Sequence, residues 1–195
     1  MTIVVYSAPS AEPVSISEAK THCRIDSESV DDPLVLFFIT AARQAAEQEL
    51  HRYMITQTLD AYFDAFPDYD DDYQILLPPL QSVTSITYVD TDGATQTLAA
   101  DQYSVDSKSQ PARITPAYGV SWPSTRNKNN AVTVRFVAGY GAASAVPECV
   151  KNWMLMRIHT LWDNRAHIVV GANISDLPTS YIDGILDPER VSYRT

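Results

Sequence analysis

Helical spacing occurs in two separate stretches of this chain, and the residues between them alternate with a period of two. The first stretch opens at Asp32-Pro33, an N-cap residue followed by proline at the first helical position, and runs to about Tyr53. Leu34, Phe38, Ala41, Ala45 and Glu49 share one face there, and Ala41, Ala42, Ala45 and Ala46 allow another helix to come close. The second stretch opens at Pro147 and closes near Asn164, with Val150, Trp153, Met154, Ile158 and Leu161 as its apolar stripe. A shorter helix, about Ser17 to Arg24, precedes both; Ser15 and Glu18 have the spacing of a capping box.

Between these helices the period changes. Thr58 to Phe66 alternates, with Tyr62, Asp64 and Phe66 on one face. Gln74 to Leu77 is a short strand ended by Pro78 and Pro79, and Val83 to Val89 is the clearest strand. Asp92-Gly93 marks a hairpin turn leading to Thr95–Leu98. Tyr103–Asp106, Arg113–Thr115 and Ala131–Ala138 complete the set, and Ile3 to Tyr6 reads as an edge strand. The order predicts an α+β fold: a small helical domain, its long second helix packed on the last helix, with a β-rich insertion and an extended C-terminal tail. The expected boundaries are a domain over 1–165, with helices at about 15–53 and 147–164 and the insertion at about 56–138, and a tail over 166–195.

Composition narrows the classes of function. Hydrophobic residues make up 45% and charged residues 19%, which suits a packed core. Two cysteines are too few for a disulfide scaffold, and the longest apolar run, Leu34 to Ile39, is too short to cross a bilayer. The N-terminus has no basic start followed by an apolar core, so no signal peptide and no membrane association are expected. The net charge is −10, with 24 acidic residues against 14 basic ones. Such a surface does not grip phosphates; it suits DNA passing by without adhesion, and equally an ordinary acidic domain.

The chemistry-bearing residues form no convincing centre. Gly139-Tyr140-Gly141-Ala142-Ala143-Ser144 resembles a dinucleotide-binding glycine turn, but Ser144 replaces the third glycine and no strand follows the helix. Asp68, Asp70 and Asp72 alternate like a calcium loop, yet Tyr73 stands at the turn glycine and Pro79 at the bidentate glutamate. Asp68, Asp70, Asp71 and Asp72 read instead as a peripheral acidic loop. His159, Asp163 and His167 would share a face of one continuous helix, but His167 falls past the expected helix end. Cys23 and Cys149 read as packing residues; His22 adjoins Cys23 in sequence but points about 100° away around a helix. No Gly-x-Ser-x-Gly elbow occurs. No catalytic, cofactor-binding or metal-binding residue is assigned.

The ordered set of short segments is more specific than any of its parts. Pro13-Val14-Ser15 leads to Glu18-Ala19-Lys20 with His22, Arg24 and Asp26; Ile55-Thr56-Gln57-Thr58 follows the long helix. Leu77-Pro78-Pro79-Leu80-Gln81-Ser82-Val83 enters the Ser85-Ile86-Thr87-Tyr88 strand. Then come Tyr118-Gly119, Ser121-Trp122-Pro123, Asn130-Ala131-Val132-Thr133-Val134, Phe136, Gly139-Tyr140-Gly141, Val146-Pro147 and Asn164-Arg165. In these segments the chain, over about residues 12–165, resembles the head–tail connector (adaptor) family of long-tailed phages and gene transfer agents.

The resemblance implies a non-enzymatic virion structural protein. It implies a homo-oligomeric ring, usually a dodecamer, docked below the portal protein, receiving a stopper or tail-completion protein and passing DNA through its channel. It places the protein at the head–tail interface of a particle made in a bacterial cytoplasm. The alternative is a small hydrolase or carbohydrate-acting enzyme with an unrecognised site; a free β-rich binding module is a third reading. The tail lies beyond the resemblance. Gly171, Pro178, Gly184 and Pro188 break regular structure, while Ile168, Val169, Ile174, Leu177, Tyr181, Ile182, Leu186 and Tyr193 offer apolar anchors for the portal or a neighbouring subunit.

Overall fold

The computed structural model describes residues 1–26, 30–67, 75–164 and 184–191. The chain divides into two compact units. One comprises residues 11–55 and 140–190 and is helical; the other comprises residues 1–10, 56–139 and 191–195 and is β-rich. The fold is α+β, with three α-helices and two antiparallel sheets among the described residues.

In the helical unit, α1 spans Ile16–Cys23, α2 Asp32–Leu50 and α3 Glu148–Asp163. The capping box that opens α1 is formed at both ends. The Glu18 N–H donates to Ser15 Oγ at 3.1 Å, and the Ser15 N–H donates to Glu18 Oε2 at 2.7 Å. The Ser15 hydroxyl first, and then that return bond, hold the Glu18 carboxyl below its ordinary pKa. Lys20 of α1 forms an ion pair with Asp32 at the start of α2. The residue before α2 is Asp31, not Asp32, and its side chain makes no capping bond. Proline in the first turn starts this helix, because its fixed φ is already helical and its missing N–H needs no partner there. The helix stops at Leu50, short of Tyr53, where His51 turns left-handed with φ 52° and its N–H bonds to the Glu47 carbonyl.

All three helices pack on one another. The buried face of α2 is Val35, Phe38, Ile39, Ala42, Ala46 and Leu50, one position round from the expected Ala41/Ala45 stripe. Ala42 and Ala46 are fully buried; Ala45 lies at the margin of the core. A helix with adjacent alanines at 41/42 and again at 45/46 leaves its inward face undecided by one step, and Ile39 and Val35 settle it. Val150, Trp153, Met154 and Ile158 of α3 are buried as their spacing predicts, and Leu161 is half-buried.

The β-rich unit holds β1 (Thr2–Ser7), β2 (Gln57–Phe63), β3 (Ile75–Leu77), β4 (Leu80–Val89), β5 (Thr95–Leu98), β6 (Tyr103–Asp106), β7 (Ala112–Pro116) and β8 (Val132–Ala138). A five-stranded sheet runs β1-β2-β8-β4-β5 and a three-stranded one β3-β7-β6. Register places Leu59 opposite Phe136 and Val134 between Ala61 and Ile86, so the buried apolar residues share one face. β2 ends at Phe63, which removes Asp64 and Phe66 from the expected alternating face. Asp64 instead accepts from the Asn130 N–H at 2.8 Å, and Phe66 stacks on Trp122 at 4.8 Å. The β4–β5 turn forms at Asp90–Gly93 as its Asp-Gly signal predicts. Gly93 has φ +93°, a left-handed conformation that a side chain would strain.

An Ala46→Trp variant is expected to lose about 1–3 kcal/mol by overpacking α2 against its neighbours, and Ala45→Trp clearly less. Thermal denaturation of the two variants side by side checks which alanine faces inward.

Candidate functional site

The residues considered for catalysis or metal binding are placed as structural groups. His159 Nε2 lies 3.1 Å from Asp163 Oδ2 on the exposed side of α3. His22 of α1 meets the His159 ring edge to face at 5.8 Å, a neighbour that sequence spacing along α3 could not supply. Burial, and then the charge of Asp163, push the Cys23 thiol pKa up, which disfavours the nucleophilic thiolate. Among the described residues no three His, Cys, Asp or Glu side chains are grouped to hold a metal ion. The glycine turn is structural: Gly139 and Gly141 have φ of 123° and 133°, and the Tyr140 N–H donates to the Met54 carbonyl. His167 and the acidic loop at Asp68, Asp70, Asp71 and Asp72 lie outside the described residues.

Two polar clusters, one buried around Arg43 and one part-buried around Tyr140, instead organise the helical unit. Arg43 of α2 is 7% exposed, and its Nε donates to Glu12 Oε2 at 2.7 Å while Nη1 donates to Glu47 Oε2 at 2.9 Å. Thr40 also donates to Glu12, and the Met54 N–H donates to Glu47 Oε1 at 3.0 Å. Burial pushes the Glu47 carboxyl above its ordinary pKa, although the Met54 N–H and Arg43 both favour the charge. Burial also opposes the Arg43 charge, but the two glutamates outweigh it and raise the pKa.

The second cluster holds Glu189 and Arg190. The Tyr140 hydroxyl donates to Glu189 Oε2 at 2.6 Å, Arg52 lies over the Tyr140 ring, and Arg190 pairs with Glu49 at 3.3 Å. Burial first, then the Glu189 hydrogen bond, raises the Tyr140 pKa and keeps the hydroxyl a donor. Leu186 is fully buried in the helical core. It is therefore not free to serve as the outward anchor expected of it: its side chain is already spent on its own unit. Ile168, Val169, Ile174, Leu177, Tyr181, Ile182 and Tyr193 lie outside the described residues.

With no reactive centre assembled among the described residues, the candidate functional surface is the set of large apolar side chains left in water. In the helical unit these are Val30, Leu36 and Phe37, the last 65% exposed. In the β-rich unit they are Val4, Val5 and Tyr6 on β1, Leu76 and Val105 on the small sheet, and Tyr118 at a turn tip. The Tyr6 ring lies 3.5 Å from the Arg135 guanidinium, which in turn makes a two-pronged bond with Asp60 at 2.7 and 2.8 Å. Exposed aromatic residues of this kind are typical anchors of protein–protein contacts. The signal available in the sequence was the uncharged lead Thr2–Ser7. Phe37 was hidden, because it sits in a helix whose inward face was uncertain by one position.

The chain is similar to one protein family and to several solved structures. A family model for the phage gp6-like head-tail connector protein matches residues 13–103. A chain from the neck of an empty GTA particle computed with C6 symmetry has a TM-score of 0.80 at 18% identity, covering 100% of this chain and 98% of that one. A chain from the virion of a native gene transfer agent (GTA) particle has 0.78 at 17%, with the same coverage. One from the neck of a native GTA particle computed with C12 symmetry has 0.74 at 19%, again over 100% and 98%. These likenesses show that the fold is shared over both units. No curated protein matches the chain.

Three outcomes are expected from these contacts. Arg43→Met leaves Glu12 and Glu47 buried without their cation and should cost about 3–5 kcal/mol in denaturant unfolding. The raised Glu47 pKa means the native state holds a proton that the unfolded state has lost, so this group lowers stability as pH rises from about 4.5 through its folded pKa. Glu47→Gln should abolish that part of the slope; thermal midpoints of both proteins across the carboxylate range measure it. Leu186→Ala should destabilise the fold by about 2–5 kcal/mol, as truncation of a core leucine does. A purely outward anchor would leave thermal stability unchanged.

Proposed function

We propose that this chain, whose residues 13–103 match the connector family model, is a structural head–tail connector of a phage or phage-like particle. It forms a ring between the portal and a stopper or tail component, and DNA passes through the ring. The observation that carries this reading is the extent of the neck likeness: both units are included, over 98% of the compared chain. A ring is supported by the C6 and C12 symmetries of those necks. The net charge of −10 supports passage of DNA without adhesion, since phosphate binding needs clustered cations. The enzyme alternative has no observation among the described residues in its favour.

Within this reading the β-rich segment is a peripheral lobe for subunit or tail-side contacts, and its acidic loop tunes encounter with the partner. The apolar positions from Ile168 to Ile182 contact the portal or a neighbouring subunit. Synthesis in the host cytoplasm precedes assembly at the head–tail interface.

Particles made without this chain should contain DNA-filled heads and separate tails, seen by electron microscopy, with joining restored by the wild-type chain. Normally joined particles would sink the reading. Reversal of Asp70, Asp71 and Asp72 to lysine should change joining at low salt while leaving the thermal midpoint in place.

A further inference from the structure

We infer that the free edge of β1 is a main-chain docking edge for a second copy of this chain, which presents its β5 edge, so that the five-stranded sheet continues from one subunit to the next. The inference rests on the ring reading and names the surface through which neighbours join.

Among the described residues β1 and β5 are the two edges of the large sheet. Soluble proteins protect such edges with lysine, proline, a bulge or a covering element, because unpaired N–H and C=O groups recruit other strands. The edge strand here carries a bulge between Val5 and Ser7 but no charge and no proline in Thr2–Ser7. Val4, Val5 and Tyr6 are 50%, 51% and 61% exposed. Val4 pairs with Asp60 and Val5 with Leu59, so apolar groups lie on both faces of the strand. A strand that is apolar on both sides and open along one edge suits a partner that adds a further strand. β5, Thr95-Gln96-Thr97-Leu98, is also uncharged, and Thr95, Gln96 and Thr97 are exposed.

Symmetry selects the occupant. A cyclic ring of more than two copies needs two different, mutually fitting surfaces on each subunit. Pairing β1 with β1 would close at two copies. Opposite edges of one sheet meet the requirement, since every copy carries one of each. The strand sense follows as well. All four neighbouring pairs in the sheet are antiparallel, so β1 and β5 run in the same direction. A joint that continues the sheet in that sense is a parallel pair.

The test uses cysteine pairs in the full chain, within neck-bearing particles purified from producing cells. Val4→Cys or Val5→Cys is combined with Gln96→Cys or Thr97→Cys, giving four pairs that sample both faces. Within one subunit the two edges are four strand spacings apart, about 19 Å. A disulfide needs Cα atoms about 4.4–6.8 Å apart, so only neighbouring copies can be joined. The expected result is a ladder of covalent oligomers on a non-reducing gel from at least one pair, and none from the single variants. A dimer from a β1 cysteine alone would show β1 meeting β1 and overturn the inference. So would the absence of a ladder from all four pairs in particles whose necks contain the chain, which leaves the connector reading standing. A neck that lacks the chain overturns both. Val5→Lys should lower incorporation into particles at least tenfold while circular dichroism and thermal midpoint stay at wild-type values; wild-type incorporation counts against the edge.

Discussion

The guanidinium of Arg43, buried between Glu12 and Glu47, is the interaction on which the helical unit depends. Its position on α2 explains why. The chain enters this unit at Ala11, leaves after Ile55, returns at Tyr140 and leaves again after Arg190. Arg43 holds the first of these points through Glu12. Glu47 holds the second through the Met54 N–H, and Met54 in turn accepts from Tyr140 at the third. Glu49 pairs with Arg190 at the fourth. Four chain ends are thus gathered around the C-terminal half of one helix. Buried ion pairs contribute little net stability, because desolvation offsets attraction, but they tolerate only one geometry. A cluster that fixes where four segments meet is a use suited to that property.

The β-rich unit has its own ordering device. Asp60 and Arg135 are direct partners in the β2–β8 register, and the Tyr6 ring caps the guanidinium from β1. Three strands are therefore tied across their polar face, while the opposite face carries Leu59, Val134, Phe136 and Ile86. The hydrogen bond to Asp60, more than any other cause, holds Arg135 charged. Among the described residues β1 is an outer strand of this sheet, with Val4, Val5 and Tyr6 exposed.

An assembly role also accounts for the absence of convergent chemistry among the described residues. The perturbed groups in the helical unit sit in packing clusters, with Glu47, Arg43 and Tyr140 each facing a named structural partner. The large apolar side chains that remain in water are spread over both units. Contacts from each unit to other chains follow more naturally from that distribution than a single pocket does.

The amino-acid sequence by itself determined the element order, because caps, prolines and periods are local. Ser15 and Glu18 close a box within one turn, Asp92-Gly93 dictates its hairpin, and Val150, Trp153, Met154 and Ile158 share a face at any helical register. The family resemblance was legible for the same reason: its signature is a string of such local signals. The exact inward face of α2 was not legible, since the adjacent alanines at 41/42 and 45/46 differ too little in hydrophobicity to prefer one step over the next. Nor were the meetings of distant residues: Arg43 with Glu12, Tyr140 with Glu189, His22 with His159, Leu186 with the core. Those depend on which segments the fold brings together, and a long-range contact leaves no periodic trace along the chain. The tertiary structure alone decided which apolar residues were consumed in the core and which, like Val4, Val5 and Phe37, stayed in water, because burial is a property of the packed neighbours and not of the side chain itself.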